Sequence, residues 1–231
     1  MKQKYCGGEL ELFSKATNWK QYVATILLKY IGEHVLEVGA GIGGSTNYFH
    51  HDSVKSWKTL EPDNSLCERI AANITAEVEV INGTIHDVSA ETLFDTILYF
   101  DVLEHIKDDF GEMYVASRHL SVNGNLIIIA PAHQFLYSPF DHEVGHWRRY
   151  SENELNQLCP EGCIVEKSGY LDSCGYFLSL ANKVLLKQRI PTLKQIMIWD
   201  KYWVPASRLI DPIVRFKFGK SVFTIFKKKK E

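Results

Sequence analysis

The sequence predicts an α/β protein with a doubly wound, mostly parallel seven-stranded sheet, an N-terminal helix and a helical insertion before the last strand. Three observations support this prediction. Short apolar runs alternate with helical patterns, which is typical of parallel strands joined by crossover helices. The run at residues 126–130 is apolar throughout, as expected for a central strand covered on both faces. Glycine or acidic residues follow several of the runs, at the edge where ligands bind in such sheets.

The elements of the first half follow from hydrophobic period and turn residues. A first helix is expected over residues 19–30, where apolar side chains fall on one stripe, Asn18 precedes the helix and Gly32 follows it. Short apolar runs predict strands at residues 34–38, 57–60, 78–81, 96–100 and 126–130. Helices are expected between them at residues 43–50, 62–74 (opened by Pro62) and 108–120.

The second half adds two strands and the insertion. Ser151 and Glu154 form a capping box that starts a helix through Leu158. Strands are expected at 164–169 and 221–226, with a helical stripe that includes Val184 and an aromatic segment after Pro191 between them. These elements predict one domain, with a helical cap at 1–32, a core at 33–131, a second half at 132–231 and an insertion at about 175–218.

Composition limits the class of protein. The chain has 231 residues and a net charge of −2, which argues against a broad nucleic-acid-binding face. It has no apolar run of about eighteen residues, so no transmembrane segment is expected. The cysteines are odd in number and lack C-x-x-C spacing, which predicts reduced thiols and a cytoplasmic location: Cys6, Cys67, Cys159, Cys163 and Cys174. The sequence is compatible with a homo-oligomer.

A glycine cluster follows the first predicted strand in the stretch VLEVGAGIGG. Gly39, Gly41, Gly43 and Gly44 lie within six positions, which favours close approach of a ligand to the backbone. Two ligand classes compete for such a turn, a dinucleotide with its pyrophosphate and a ligand with an ammonium group. Glu37 lies two residues before the first glycine, where a carboxylate would repel a pyrophosphate and attract an ammonium group.

With these residues the chain resembles the class I methyltransferases, which use S-adenosylmethionine. The stretch VLEVGAGIGG resembles their glycine-rich first motif, and Glu61 in TLEPD matches the acid that holds the ribose hydroxyls. INGTI lies where the family binds the adenine, with Thr84 at a position that is often acidic in the family. FDTILYFDVLEHIKDD resembles the motif at the family's fourth strand. The resemblance implies a Rossmann-like methyltransferase fold with S-adenosylmethionine as cofactor and S-adenosylhomocysteine as product. It implies cofactor-binding residues Glu37, Gly39, Ala40, Gly41, Glu61, Pro62, Thr84, Ile85, Asp101 and Val102.

The acceptor side is expected after the fifth strand, where polar side chains are dense. The pattern D-x-x-x-G-H-x-R-R-Y, from Asp141 to Tyr150, resembles a bacterial subset of class I methyltransferases. Histidine suits general base catalysis near neutral pH, and arginine suits an anionic acceptor. The candidate catalytic residues are His146, His142, His105 and Tyr150, and the candidate substrate-binding residues are His133, Asp141, Arg148 and Arg149. No metal site is predicted, because the spacing of His133, Asp141, His142 and His146 lacks a recognised metal signature.

The predicted function is methyl transfer from S-adenosylmethionine to a small-molecule acceptor, with O-methylation favoured and a sugar or lipid-linked glycan intermediate as the suggested acceptor. Two alternatives stay open, an NAD(P)-dependent oxidoreductase and a non-catalytic S-adenosylmethionine-binding protein. The basic tail at residues 227–230 and the aromatic insertion are compatible with weak contact to an anionic membrane, although a lid or a protein interface is favoured for the insertion.

Overall fold

A computed structural model of the chain describes residues 8–183 and 190–230. In that part of the chain, one sheet contains β1 His34–Val38, β2 Ser56–Glu61, β3 Glu79–Asn82, β4 Phe94–Phe100, β5 Leu120–Pro131, β6 Cys163–Leu171 and β7 Ser221–Lys228. The spatial order is β3-β2-β1-β4-β5-β7-β6. β7 is antiparallel to both β5 and β6, and the other strands pair in parallel. The prediction of a mostly parallel, doubly wound, seven-stranded sheet is confirmed.

Helices cover both faces of this sheet. They are α1 Glu9–Ser14, α2 Thr17–Leu27, α3 Thr46–Phe49, α4 Asn64–Asn73, α5 Asp109–Arg118, α6 Pro139–Glu143, α7 Glu152–Gln157, α8 Ser173–Ala181, α9 Leu193–Ile198 and α10 Val204–Ile213. A π-helical stretch, Trp199–Trp203, joins α9 to α10 in one continuous helical run. The insertion therefore consists of α8 and this long run, between β6 and β7.

The central strands supply side chains to two separate cores. Along β5, Leu126 and Ile128 belong to the core on one face, whereas Ile127 and Ile129 belong to the core on the other. This alternation is the period of two that a strand imposes on its side chains. Tyr150 lies in the first core, and the second core receives side chains from α2 and the insertion. Both faces of the sheet are thus covered by packed side chains, and the ends of the strands are the part of the sheet that a ligand can reach.

Three predicted boundaries are wrong. α2 begins at Thr17, so Asn18 does not cap it, and the Asn18 amide instead donates to Asp200 at 3.0 Å. Pro62 does not open α4, because Asp63 caps that helix by accepting from the Ser65 N–H at 2.9 Å. The helix expected at 43–50 shortens to α3, since the glycine turn continues through Gly43 at φ +72°.

Other sequence predictions are confirmed, are incomplete or fall outside the described residues. The Ser151 capping box and the strands of the second half are present. α1 and α6 were not predicted, and Cys6 and Val184 lie outside the described residues. None of the helices described combines the length and hydrophobicity needed to cross a bilayer.

Three buried carboxylates fasten the insertion to the sheet and to α2. Asp211 accepts hydrogen bonds from the Tyr22 hydroxyl at 2.6 Å and from the backbone N–H groups of Asp172 and Ser173 at 2.7 and 3.0 Å. Asp172 accepts from Ser207 and Trp199. Asp200 accepts from the Trp19 N–H at 2.8 Å. A buried carboxylate needs such donors, and here they come from elements distant in sequence.

The substitution Asp211→Ala is expected to lower the free energy of unfolding by about 3 kcal/mol, because it leaves buried donors without an acceptor. Urea denaturation followed by circular dichroism would measure this change. The exposed Asp52 offers a matched control, and Asp52→Ala should change the free energy by less than about 0.5 kcal/mol. Equal effects of the two substitutions would contradict the fastening role.

Candidate active site

A cavity of about 210 Å³ lies at the carboxyl ends of β1, β4 and β5. The glycine turn forms one wall, and the N-terminal segment around α1 covers it. Its lining includes Leu10, Phe13, Lys20, Gly39, Ala40, Gly41, Asp101, Glu104, His105, Pro131, Phe140, His146, Arg149, Trp199 and Lys220. The edge of the sheet predicted to bind ligands is thus the edge that carries the cavity.

The glycine turn has a backbone that other residues would not adopt. Gly39 and Gly41 have φ values of +69° and +59°, and a Cβ on Gly39 would lie 2.7 Å from the Val102 side chain. Val102 therefore packs against the turn from the β4 side. At the end of β2, the Glu61 carboxylate accepts from the Gly41 N–H at 2.9 Å and from the Asp63 N–H at 3.0 Å. Each Glu61 oxygen makes one of these bonds, which leaves lone pairs for a diol.

Glu37 does not face the cavity, so the prediction that its carboxylate meets an ammonium group is wrong. Its oxygens accept from the Ser45 hydroxyl at 2.8 Å, the Thr46 hydroxyl at 2.6 Å and the Trp57 indole at 3.1 Å. Burial raises the pKa of Glu37, and these three donors oppose the shift. The side chain ties the start of α3 to the sheet.

The remaining predicted cofactor residues flank the glycine turn outside the cavity. Thr84 donates from its N–H and its hydroxyl to the Asp87 carboxylate at 2.8 and 3.0 Å. These bonds form a capping box at the short helical turn Ile85–Asp87. Ile85 is buried in the core, and Pro62 follows Glu61 with its carbonyl accepting from Asn82 at 3.1 Å.

Asp101 projects into the cavity directly after β4. Its backbone is left-handed, with φ +53°, and its N–H donates to the Ile129 carbonyl at 2.9 Å. The cavity walls desolvate the Asp101 carboxylate and raise its pKa to about 6, and this effect outweighs the attraction of His146, Lys220, Arg149 and Lys20. A cationic ligand beside this carboxylate would stabilise its ionised form.

Lys20 is a cavity residue that the sequence did not reveal. Its ammonium group donates to the carbonyls of Phe13 and Ser14 at 3.1 and 2.9 Å, at the end of α1. Burial lowers the pKa of Lys20 to about 8, although Asp200 and Asp101 oppose the shift. An ammonium group has three donors, so one is left for an anionic ligand group.

His146 is held by a buried carboxylate. Its Nδ1 lies 2.9 Å from Asp141 Oδ1, and the same carboxylate accepts from Arg149 Nε at 2.7 Å and Nη2 at 3.0 Å. Burial alone would raise the pKa of Asp141, but the His146 and Arg149 contacts dominate and hold it well below its ordinary value. Asp141 also accepts from the Ser138 N–H at 2.9 Å, at the start of α6. The chain then returns to the end of β5, where the Tyr150 N–H donates to the Pro131 carbonyl at 3.0 Å.

The other nitrogen of His146 faces Glu104. The Nε2 atom lies 3.8 Å from Glu104 Oε1, and the His105 ring stands edge-on to His146 with centroids 4.6 Å apart. Glu104 is buried, and its Oε2 atom has no hydrogen-bond partner in the described part of the chain. Burial, together with the charge of Asp101, raises the pKa of Glu104 well above its ordinary value. Burial likewise lowers the pKa of His105 to about 4.

Several predicted acceptor-side residues make contacts within the protein. Arg149 lines both cavities and binds Asp141 through its guanidinium group, and Arg148 donates to Asp109 at 2.6 Å and to the Lys107 carbonyl at 2.7 Å. Tyr150 points into the core, where its hydroxyl donates to Asp109 at 2.8 Å.

Two predicted histidines also lie outside the cavity lining. His142 is exposed at the surface. His133 stacks on Tyr170, with the ring centroids 4.8 Å apart. The four residues considered as metal ligands therefore do not converge, although Asp141 and His146 meet. A different group, Glu104, His105 and His146, brings one ligand atom from each residue within 4.8 Å of the others in the described structure.

A second cavity of about 290 Å³ adjoins the first beneath the insertion. The two share Phe13, Phe140, Arg149, Trp199 and Lys220. Most other side chains of the second cavity are apolar, among them Leu136, Leu178, Ile196, Ile198 and Trp203. Lys220 lies over the Trp199 ring at 4.0 Å, and within the described residues no carboxylate lies at ion-pair distance from its ammonium group.

Comparison with known proteins supports the class of this site. Residues 36–128 match a family model described as a methyltransferase domain. The matched part contains the glycine turn, Glu61, Asp101 and Glu104. A search of curated protein sequences finds no match.

Solved structures share the fold at low sequence identity. A putative methyltransferase in complex with the Haloferax volcanii Trm112 activator has a TM-score of 0.66 and 11% identity, covering 96% of this chain and 95% of that chain. The plantazolicin methyltransferase BpumL in complex with SAH has a TM-score of 0.58 and 13% identity, and the alignment covers 95% of this chain and 84% of that chain. A putative sarcosine dimethylglycine methyltransferase from Galdieria sulphuraria has a TM-score of 0.58 and 14% identity, and the alignment covers 93% of this chain and 85% of that chain.

The predicted S-adenosylmethionine-dependent methyltransferase is confirmed at the level of domain and fold. The narrower resemblance, to the bacterial subset with the D-x-x-x-G-H-x-R-R-Y segment, stays a prediction.

The Asp141 contact fixes the tautomer expected for neutral His146. Because Asp141 accepts at Nδ1, the proton should reside there and leave Nε2 unprotonated. In a protein with ¹⁵N-labelled histidine, His146 should give an amine-type Nδ1 resonance and an imine-type Nε2 resonance. The exposed His142 is the control and should show averaged tautomers. A protonated Nε2 in neutral His146 would contradict this assignment.

Proposed function

We propose that the protein transfers a methyl group from S-adenosylmethionine to a hydroxyl of a small-molecule acceptor, with His146 as the general base. The observation that carries this proposal is the Asp141–His146 pair in a cavity walled by the glycine turn. The methyltransferase domain match favours this reaction over hydride transfer with a nicotinamide cofactor. A cytoplasmic location stays a prediction from the sequence.

The residues present fit the cofactor at both of its ends. Glu61 retains lone pairs for the two ribose hydroxyls. Asp101 takes the role first given to Glu37, because Asp101 lines the cavity together with the glycine turn and Glu37 does not. Lys20, with one free donor, suits the carboxylate of the amino-acid end. Glycines at positions 39 and 41 allow the ligand to lie against the backbone.

When bound, S-adenosylmethionine supplies a methyl group that its sulfonium already makes electrophilic. The protein then has to align the acceptor and remove the hydroxyl proton. His146 Nε2 accepts that proton, and the ionised Asp141 stabilises the imidazolium that forms. A hydroxyl acceptor requires such a base, and His146 supplies it. The proposed reaction needs no metal, since His146 acts as a base and not as a ligand.

The acceptor proposed here combines an apolar part with an acidic group. Lys220, at the junction of the two cavities, is the cation available to the acidic group, a role first given to Arg148 and Arg149. The apolar part fits the second cavity, whose lining is mainly aliphatic and aromatic. A lipid-linked intermediate suits such a lining better than a free sugar does.

Replacing His146 by glutamine is expected to lower kcat by about 10²- to 10⁴-fold, the usual contribution of a general base. The affinity for S-adenosylmethionine, measured by calorimetry, should change little. The control His142→Gln, at the exposed histidine, should leave kcat unchanged. Turnover of the His146 variant at the wild-type rate would remove this residue from the mechanism.

The affinity for S-adenosylmethionine is expected to fall as the pH drops through about 6. Asp101 has a raised pKa of about 6 in the free protein and must be ionised to bind the ammonium group, so protonation below that pH competes with binding. Calorimetric titrations between pH 7 and pH 5 would measure the slope, on the order of tenfold per pH unit at the acid end.

The variant Asp101→Asn should bind more weakly at neutral pH and lose this pH dependence. The exposed Asp52→Asn is the control and should retain it. A slope that survives in Asp101→Asn would assign the titration to another group.

A further inference from the structure

The continuous helical run from α9 to α10 has apolar side chains on both of its sides. Its inner side is packed against the protein through Ile196, Trp199 and Val204, which are buried. On its outer side Leu209 and Ile213 are 72% and 79% exposed. Further exposed apolar residues on the run are Met197, Ile198, Tyr202 and Trp203. Several large exposed apolar side chains on one helical run are typical of an interaction site.

The charges on the outer side all have one sign. Lys194, Lys201 and Arg208 are exposed, as are Met197, Ile198, Tyr202, Leu209 and Ile213, whereas Ile196, Trp199 and Val204 of the same run are buried. The acids of the run are Asp200 and Asp211, which are both buried and hydrogen-bonded. We call this set of eight exposed residues the outer face.

We propose that the outer face docks on an anionic lipid bilayer. Large aliphatic and aromatic side chains gain free energy by entering the headgroup boundary, and lysine and arginine beside them are attracted to anionic headgroups. The outer face combines both features on one helical run, whose inner side is anchored by buried carboxylates. A helical run fastened in this way can lie on a membrane without leaving the protein.

The second cavity lies next to this face. Ile198 belongs both to the outer face and to the cavity lining. Trp203, which follows Tyr202 of the outer face and is 42% exposed, also lines the cavity. An amphiphilic acceptor could therefore pass from the bilayer into the second cavity and towards Lys220. This last consequence rests on the proposed function, whereas the docking itself does not.

Other occupants fit the outer face less well. In a two-fold dimer the same patch meets itself, which would bring the basic residues of both copies together. A nucleic acid would pair with the basic residues but would leave Leu209 and Ile213 against phosphates or water. The basic tail is also separate from this face. Lys228 donates to the carbonyls of Ser117 and Leu120 near the start of β5, which is the end of the strand away from the cavities.

Sedimentation with vesicles tests the proposal on the full chain. Wild-type protein is mixed at low salt with vesicles of phosphatidylcholine alone or of phosphatidylcholine with phosphatidylglycerol. Two outer-face variants are compared, Leu209→Gln with Ile213→Gln, and Lys201→Glu with Arg208→Glu. The matched controls are Leu93→Gln with Val122→Gln, at apolar positions 52% and 53% exposed before β4 and early in β5, and Lys229→Glu with Lys230→Glu in the tail.

Wild-type protein should bind the anionic vesicles, and salt should weaken the binding. Each outer-face variant should bind at least about tenfold more weakly while keeping the wild-type circular dichroism spectrum, and both controls should bind like wild type. Absence of binding to anionic vesicles, equal binding to neutral ones, or wild-type binding by both outer-face variants would overturn the proposal. A dimer seen by light scattering that the outer-face variants dissociate would assign the face to a second copy instead. No methyl transfer is measured, so failure here leaves the proposed function untouched.

Discussion

The structure of the site depends on one constraint, that a carboxylate removed from water must be matched by donors. Asp141 shows this most clearly, since it is fully buried and accepts from His146, Arg149 and Ser138. These bonds fix the imidazole ring, engage the guanidinium group of Arg149 and start α6. If the arginine were absent, the carboxylate would be a buried charge with too few partners, and the ring it positions would lose its orientation.

The reversed direction of β7 completes the site. Parallel strands bring to the cavity only residues that follow them, such as Asp101 after β4. β7 runs the other way, and Ser221 pairs with Pro131 at the end of β5. The residue before β7, Lys220, therefore lies at the ligand-binding edge and, like Arg149, lines both cavities. An antiparallel last strand thus lets the insertion that precedes it line the second cavity.

Sequence patterns predicted the sheet, the glycine turn and the cavity's strand-end residues, because these depend on local period and on spacing near one turn. They did not predict Lys20 or Lys220, whose positions depend on α1 and on the direction of β7. The sequence patterns also did not show which residues of the D-x-x-x-G-H-x-R-R-Y segment line the cavity and which make contacts elsewhere. There His146 lines the cavity, while Arg148 and Tyr150 turn to Asp109 on another helix, a long-range contact that no local pattern encodes.

Hydrogen-bond accounting distinguishes acids that hold the fold from acids available to a ligand. Glu37 and Asp211 each accept from three protein donors, so their lone pairs are engaged before any ligand arrives. At Asp101 and at Glu104 Oε2, both in the cavity, no donor within the described chain satisfies the oxygens. Desolvation raises the pKa of both groups, and at the buried Glu104 the charge of Asp101 adds to the shift. A cationic ligand would stabilise the Asp101 carboxylate, and a hydroxyl-bearing ligand would supply the donor that Glu104 Oε2 lacks. The acids that matter for ligands are therefore those the protein has left without partners, and only the folded structure shows which they are.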